Sequence, residues 1–258
     1  MQKLRPIIDG MTTISLQDMS AVKMMNRIDT KFLLNKGQLL EAFAMLQNDY
    51  KVQTIGGEAI APYHTLYFDT EDVEMYTMHH NRKLTRQKLR VRCYRQNNTT
   101  FFELKNKDNR GKTKKTRVPV APENFDNCLM LPQVGDFVAN NTPYTITGLM
   151  PHVENFFNRI TLANNALTER VTIDSDIHFV NRHTDIENHA LTDLVIVEVK
   201  QNPELRASSV LMNTFRQLRI QPKRVSKYCL GTVLTNPDAK YNRYKEKIRY
   251  IEKIISNE

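Results

Sequence analysis

The stretch Arg86–Tyr94, which reads RQKLRVRCY, decides the fold because a basic residue recurs at every second position. Side chains of a β-strand point alternately to its two faces. The four basic residues therefore share one face, and Leu89, Val91 and Cys93 share the other. The stretch predicts a strand with one cationic and one apolar face.

The same alternation recurs in the next two segments of the chain. The residues that share the charged face are Glu103, Lys105 and Lys107 in the first segment and Lys115 and Arg117 in the second. The turn-forming sequences QNN (96–98) and DNRG (108–111) separate the three segments. A meander of three strands is predicted, with cations projecting to one side.

A solvated sheet surface also shows alternating charge, and for any single strand this is the simpler interpretation. Charges set within apolar stretches favour an enclosed interior instead, and Arg159, Glu198 and Lys200 are of this kind. Enclosing many like charges costs on the order of several kcal/mol per group unless an anion binds. Arg and Lys together suit a linear phosphate chain, and an embedded carboxylate suits a Mg²⁺ or Mn²⁺ ion that bridges it to phosphate.

Further strand-like segments extend the meander to about eight antiparallel strands. They are predicted at 31–34, 62–68, 153–162, 169–173, 177–181 and 194–200. Helices are predicted at 37–48, 73–78 and 206–218 and, at the C-terminus, at about 239–256. The fold class is α+β, with a closed or nearly closed antiparallel sheet and flanking helices in a single domain over 1–258.

Charge and composition narrow the ligand class and exclude several kinds of protein. The 258 residues carry 37 Lys and Arg against 28 Asp and Glu, a net charge of +9 that favours an anionic partner. No zinc-finger, RNP or helix-turn-helix signature accompanies this charge, so nucleic acid is not expected. Only eight glycines are present, without a glycine-rich phosphate loop. Three widely spaced cysteines and the lack of a signal or membrane-spanning stretch predict a cytoplasmic protein.

Together the motifs resemble the triphosphate tunnel metalloenzyme (CYTH-like) superfamily. The resemblance is closest to the polyphosphate polymerase domain of the vacuolar transporter chaperone (VTC) complex and its bacterial stand-alone relatives. The matching motifs are RIDTKF (27–32), YFDT (67–70), LRVRCY (89–94), FELK (102–105), KTR (115–117), FNR (157–159), VEVK (197–200) and SKY (226–228). The resemblance implies an eight-stranded antiparallel tunnel that transfers the γ-phosphate of ATP to a growing polyphosphate chain with Mn²⁺ or Mg²⁺.

The resemblance also implies roles for individual residues. The implied catalytic residues are Arg90, Arg92, Lys105, Arg159 and Lys227, and the further phosphate-binding residues are Lys31, Lys88, Lys115, Arg117, Lys200 and Ser226. Glu198 matches the family's metal-binding glutamate. Glu103 is a second candidate, either for the metal or for pairing with Lys105.

Two positions depart from the family pattern. Hydrolytic members of the superfamily open with Glu-x-Glu-x-Lys, whereas this chain has Arg27, Asp29 and Lys31 at the corresponding positions. A hydrolase uses several carboxylates to hold the metals that activate water, so the lost carboxylate favours the polymerase subgroup. Phe157 stands where the VTC enzymes tend to have Tyr, which removes a hydroxyl from the site.

Three functions stay open from the sequence: an ATP-dependent polyphosphate polymerase, a hydrolase of tripolyphosphate or nucleoside triphosphates, and a non-catalytic polyphosphate-binding sensor. The seven histidines are expected to be surface or packing residues, and Tyr63, Tyr67 and Phe68 to be core residues rather than a nucleobase site. Eukaryotic relatives sit beside membrane segments. A translocating partner is therefore expected to be a separate membrane protein, through which alone this chain would associate with a membrane.

Overall fold

The computed structural model describes residues 4–20, 28–46 and 48–256. Its strands are β1 (Thr13–Ser15), β2 (Ile28–Asn35), β3 (Tyr50–Thr54), β4 (Ala61–Asp69), β5 (Arg86–Tyr94), β6 (Thr99–Lys107), β7 (Thr113–Val120), β8 (Met150–Asn164), β9 (Glu169–Asn181), β10 (Glu187–Asn188) and β11 (Leu194–Gln201). Its α-helices are α1 (Arg5–Asp9), α2 (Leu16–Ser20), α3 (Lys36–Ala44), α4 (Glu74–His80), α5 (Pro132–Asn141), α6 (Val210–Gln217), α7 (Lys227–Thr235) and α8 (Lys245–Ser256).

Eight strands form one antiparallel sheet in the order β2-β11-β9-β8-β4-β5-β6-β7. This confirms the predicted antiparallel sheet with flanking helices. The sheet is not closed by strand pairing, because β2 and β7 end the path and do not pair with each other within the described residues. The short strands β1, β3 and β10 attach outside this path, and β1 pairs with β3 in parallel.

The predicted break between strands 169–173 and 177–181 is wrong, because β9 runs continuously through it. Asp174, Ser175 and Asp176 have the composition of a turn. Asp176 adopts a positive φ of 51°, and the register with β8 shifts between Phe156 and Asn158. These residues form an irregularity that bends the strand without ending it, as a β-bulge does.

The apolar face of the β5–β7 meander packs against α5. Leu89, Val91 and Phe102 are fully buried in one cluster with Val134 and Val138 of that helix. Burying such a side chain contributes about 1.5–3 kcal/mol. This packing fixes the orientation of the sheet, so the basic residues of the meander project to the opposite side, here called the inner face.

Helix α7 covers one end of the inner face and was not predicted. Its sequence, KYCLGTVLT, contains glycine and β-branched residues, which disfavour a helix in isolation. A Cβ atom added at Gly231 would lie only 2.6 Å from side-chain atoms of Phe179 and Val153, so the helix and the sheet are in direct contact. Burial of Tyr228 and Cys229 in this contact overrides the local propensity.

Residues 222–226 connect the edge of β2 with β5. Phe32 and Pro222 form a β-bridge, and the Lys223 amide donates to the Lys31 carbonyl at 2.8 Å. At the other end of this segment, the Lys88 ammonium donates to the Ser226 hydroxyl at 2.7 Å. The chain therefore spans part of the space that strand pairing leaves open.

The predicted C-terminal helix is present as α8, which begins at Lys245, later than predicted. The residues directly before it, Asn242–Tyr244, form a 3-10 helix instead. Ile251 anchors the helix in the cluster that contains Tyr228 and Leu33. The single-domain organisation stays a prediction.

None of the described helices has the length and apolar character needed to cross a membrane.

Candidate active site

Pairing of β5, β6 and β7 brings the predicted basic residues into rows across the inner face. Lys88 lies opposite Lys105, which lies opposite Lys115. In the next row Arg90 lies opposite Glu103, which lies opposite Arg117. Directly paired side chains are about 4.5–5.5 Å apart at Cβ. The meander thus concentrates positive charge in a small area.

Glu103 is the counter-ion of this area. Its side chain is fully buried, and its Oε2 accepts hydrogen bonds from Arg90 Nε at 2.7 Å and Nη2 at 2.5 Å. Lys115 forms an ion pair with the other oxygen. Burial opposes ionisation of Glu103, but the charges of Arg90, Arg92 and Lys115 outweigh it and lower its pKa to about 2. The carboxylate holds Arg90 and Lys115, rather than pairing with Lys105.

Lys105 and Arg92 lie beside this network without an acidic partner in the described part of the chain. Lys105 and Arg92 form no ion pair with any residue that the structure describes, although Arg92 is only 7% exposed. The charge of Arg90 and burial hold the pKa of Lys105 well below its usual value. Burial and the charge of Arg90 also lower the pKa of Arg92, whose Nε donates to Thr65 Oγ1 at 3.0 Å. Like charges enclosed without compensation favour an anionic ligand.

A second network joins β8, β9 and α7. Arg159 donates to both oxygens of Asp174, at 2.5 and 2.7 Å, and Lys227 forms an ion pair with the same carboxylate. Burial opposes ionisation of Asp174, but the charges of Arg159 and Lys227 keep its pKa far below the usual range. The ammonium of Lys227 also lies 3.9 Å from the ring centre of Phe157. Without a hydroxyl, Phe157 still serves as a cation–π platform.

Glu198 lies opposite Lys31 and two residues from Lys200, on the inner face of β11. Its oxygens contact Lys31 Nζ at 3.5 Å and Lys200 Nζ at 2.6 Å. Burial opposes ionisation, but these two charges keep the pKa of Glu198 far below its usual value. Its side chain is 18% exposed, so this carboxylate is more accessible than the fully buried Glu103.

The donor set fits a metal that arrives with a phosphate ligand. No group of three or more His, Cys, Asp or Glu side chains is positioned to hold a metal ion in the described part of the chain. Mg²⁺ commonly takes one or two carboxylates and completes its shell with phosphate oxygens and water. Glu198, whose side chain is 18% exposed, satisfies that pattern better than Glu103 and Asp174, whose side chains are 0% and 5% exposed.

Several predicted residues lie at the edges of the site. Arg117 is on the exposed inner side of β7, with its guanidinium 4.0 Å from the ring centre of Phe101. Ser226 caps α7 and accepts from both Lys88 and the Cys229 amide. Asp29 lies opposite Lys200, and Arg27 lies outside the described residues.

Asp174 and Tyr67 belong to the site but were not predicted. Asp174 lies within the segment that was interpreted as a turn. Its alternation with the apolar Val171 and Ile173 is the signal that identified Glu198, and it could have identified Asp174 also. The Tyr67 hydroxyl accepts from Arg90 Nη1 at 3.4 Å. Burial opposes its ionisation, but the charges of Arg90, Arg92 and Lys88 lower its pKa below the usual value.

A protein-family model described as the VTC domain matches residues 26–236, which include all of these inner-face residues. The chain belongs to the VTC domain family. Thus the predicted family resemblance is confirmed. The search of curated proteins found no match to this chain.

Solved structures share the fold of this VTC domain at low sequence identity. A candidate adenylate cyclase from Bacillus halodurans has a TM-score of 0.52 and 16% identity, over 85% of this chain and 97% of that protein. A candidate adenylyl cyclase from Hippeastrum, with a dominant triphosphatase activity, has a TM-score of 0.52 and 14% identity, over 82% of this chain and 98% of that protein. At such identities the similarity shows the fold alone.

Proposed function

We propose that this VTC domain transfers the γ-phosphoryl group of ATP to the end of a growing inorganic polyphosphate chain. The observation that carries the proposal is the pair of enclosed cations, Lys105 and Arg92, that have no acidic partner among the described residues. A polyphosphate chain supplies one or more negative charges per phosphate along its length. It therefore compensates several such cations at once.

In this proposal the basic residues bind the phosphates, and the buried carboxylates position the basic residues. Arg90, Arg92 and Lys105 contact the triphosphate from one wall, and Arg159 and Lys227 contact it from the other. Lys31, Lys88, Lys115, Arg117, Lys200 and Ser226 add contacts around them. Asp174 and Glu103 orient the guanidinium groups, so the phosphate oxygens meet donors that are already in place.

Phosphoryl transfer needs positioning and charge neutralisation more than covalent participation by the protein. The attacking phosphate oxygen is already anionic, so no general base is required. In this proposal Glu198 holds a Mg²⁺ or Mn²⁺ ion together with phosphate oxygens. When bound, the ion neutralises charge on the transferred group.

A triphosphate hydrolase is the second candidate. The Hippeastrum protein, which shares the fold, has a dominant triphosphatase activity. The carboxylates of this chain favour the polymerase, because Glu103 and Asp174 are buried and Arg27 stands where the hydrolytic members have a metal-ligand Glu. A polyphosphate-binding sensor is the third candidate and would bind the chain without turnover.

Product analysis tests the proposal. Purified protein is incubated with ATP and Mn²⁺, and the products are resolved over time on a polyacrylamide gel stained for polyphosphate. We expect a ladder that lengthens with time. Orthophosphate without a ladder would support the hydrolase, and tight polyphosphate binding without any turnover would support the sensor.

Polyphosphate binding should weaken above pH 7 because of Lys227. Burial lowers its pKa, Asp174 raises it and Arg159 lowers it further, with a net value of about 7. Below pH 7 the ammonium is already charged. Above pH 7 a bound polyanion must raise the pKa of Lys227 again, so binding takes up a proton and affinity falls.

Calorimetric titrations with tripolyphosphate at pH 6 and pH 8, each in two buffers of different ionisation enthalpy, measure this proton uptake. Lys227→Arg is the matched control, because arginine stays charged at both pH values. We expect less uptake at pH 8 in the variant than in the wild type, since titration of the ligand itself is common to both. Equal uptake would exclude Lys227 as the titrating group.

A further inference from the structure

An aromatic cluster lies on the inner face beyond the phosphate-binding cations. Tyr63 and Tyr94 are paired across β4 and β5, with ring centres 5.0 Å apart. Phe101 lies next to Tyr94, with ring centres 6.2 Å apart and planes nearly perpendicular. These three residues, here called the aromatic rim, are each half-buried, in contrast to the fully buried rings of the core.

The rim continues the rows of cations. Along β5, Tyr94 follows Arg92 and Arg90 at two-residue spacing on the same face, so it lies about 13 Å from Arg90. On β6, Phe101 lies directly opposite Arg92. The guanidinium groups of Arg92 and Arg159 lie 5.5 and 4.9 Å from the ring centre of Tyr63. A ligand that extends from the cations toward this end meets aromatic rings next.

The opposite end of the inner face is occupied by protein. Tyr228 of α7 stacks on Tyr67 with ring centres 5.0 Å apart, and Ser226 contacts Lys88. Both Tyr67 and Tyr228 are buried there. The amino end of α7 also favours negative charge, since unpaired backbone N–H groups and the helix dipole lie there. A nucleoside is therefore better accommodated at the rim, with its terminal phosphate directed toward α7.

We propose that the aromatic rim binds the base of the nucleoside triphosphate, with Tyr94 as its stacking partner and the nearly perpendicular ring of Phe101 beside it. This inference rests on the proposed function, because it assigns one end of the same substrate. Tyr63 supports the rim from behind, since one of its faces already stacks on Phe157, with ring centres 5.0 Å apart. The guanidinium of Arg117 lies 4.0 Å from the ring centre of Phe101. It therefore places a cation beside the base and its phosphates.

Tripolyphosphate provides a test because it has the phosphates of ATP and lacks the base. Calorimetric titrations of wild type, Tyr94→Ala and Tyr94→Phe with each ligand are made without divalent metal, so that no turnover occurs. Stacking of a base on an aromatic side chain contributes enough that Tyr94→Ala should weaken ATP binding about tenfold. Tripolyphosphate binding should change less than twofold, and Tyr94→Phe should retain the wild-type affinity for ATP.

The tripolyphosphate titration also shows whether each variant keeps a folded site. Equal losses for both ligands in Tyr94→Ala would overturn the inference, because the ring would then support the site without contacting the base. An unchanged ATP affinity would overturn it as well. In either case the proposed function would stand, whereas failure of the wild type to bind either ligand would overturn the proposed function itself.

Discussion

Replacing Arg90 by methionine should lower the free energy of unfolding by about 3–5 kcal/mol, because the substitution leaves a buried carboxylate without its main partner. Glu103 is fully buried and accepts two hydrogen bonds from the Arg90 guanidinium. Lys115 remains beside it, but its side chain is 37% exposed. The loss is measured by urea or thermal unfolding, and each kcal/mol should lower the melting temperature by roughly 2–4 °C.

Lys105→Met is the matched control, because it also removes one cation from the neighbouring strand of the same face. Lys105 forms no ion pair with a described residue, and nearby charge and burial lower its pKa well below the usual value. We expect this variant to be as stable as the wild type or more stable by about 1 kcal/mol. Both variants should lose phosphate affinity. If Lys105→Met is destabilised as strongly as Arg90→Met, a group of the protein itself neutralises the charge of Lys105. The argument for a bound polyanion then fails.

Glu198→Gln should reduce metal-dependent turnover of ATP by about 10²–10³-fold, because the carboxylate on β11 that is proposed to hold the metal is lost. The glutamine oxygen can still accept from Lys200, so we expect the fold to be retained. Without divalent metal the same variant should bind tripolyphosphate more tightly, by roughly fivefold. The substitution removes about 1 kcal/mol of repulsion between the carboxylate and the ligand.

This opposite effect distinguishes a metal ligand from a merely structural residue. Glu187→Gln serves as the control, since the Glu187 side chain is 60% exposed and pairs with His189, which is exposed as well. Turnover is measured as product formed from ATP with Mn²⁺, and affinity by calorimetry with a chelator present. Full turnover by Glu198→Gln would show that the metal is held elsewhere.

The parts of the site on β5, β6 and β7 could be predicted from sequence because their alternation is strict and long. When β5, β6 and β7 pair in sequence order, Arg90, Glu103 and Arg117 lie side by side in one row. The charge pairs within the row could not be predicted. Which cation Glu103 accepts from depends on side-chain reach across strands, and the structure selects Arg90 and Lys115 over Lys105.

Failures of prediction occurred where tertiary contacts override local signals. Asp176 has a left-handed backbone conformation that suggests a turn, yet β9 continues because β8 pairs with it on both sides of Asp176. Helix α7 has poor intrinsic propensity and forms over the inner face, where Tyr228 and Leu230 are buried. Lys227 was assigned from its motif, but its contact with Asp174 depends on that helix. The predicted core positions of Tyr67 and Phe68 are confirmed, whereas Tyr63 is half-buried at the rim.

Calorimetric titration of the wild-type protein with tripolyphosphate, compared with orthophosphate, tests the central claim most directly. Each charge-assisted hydrogen bond contributes about 1.5–3 kcal/mol, so contacts along a chain should make tripolyphosphate bind at least about 100-fold more tightly. We predict one site per chain, an affinity that falls with added KCl, and loss of binding in Lys105→Met. Equal affinities for the two ligands, or undiminished tripolyphosphate binding by Lys105→Met, would contradict an inner face built to hold a phosphate chain.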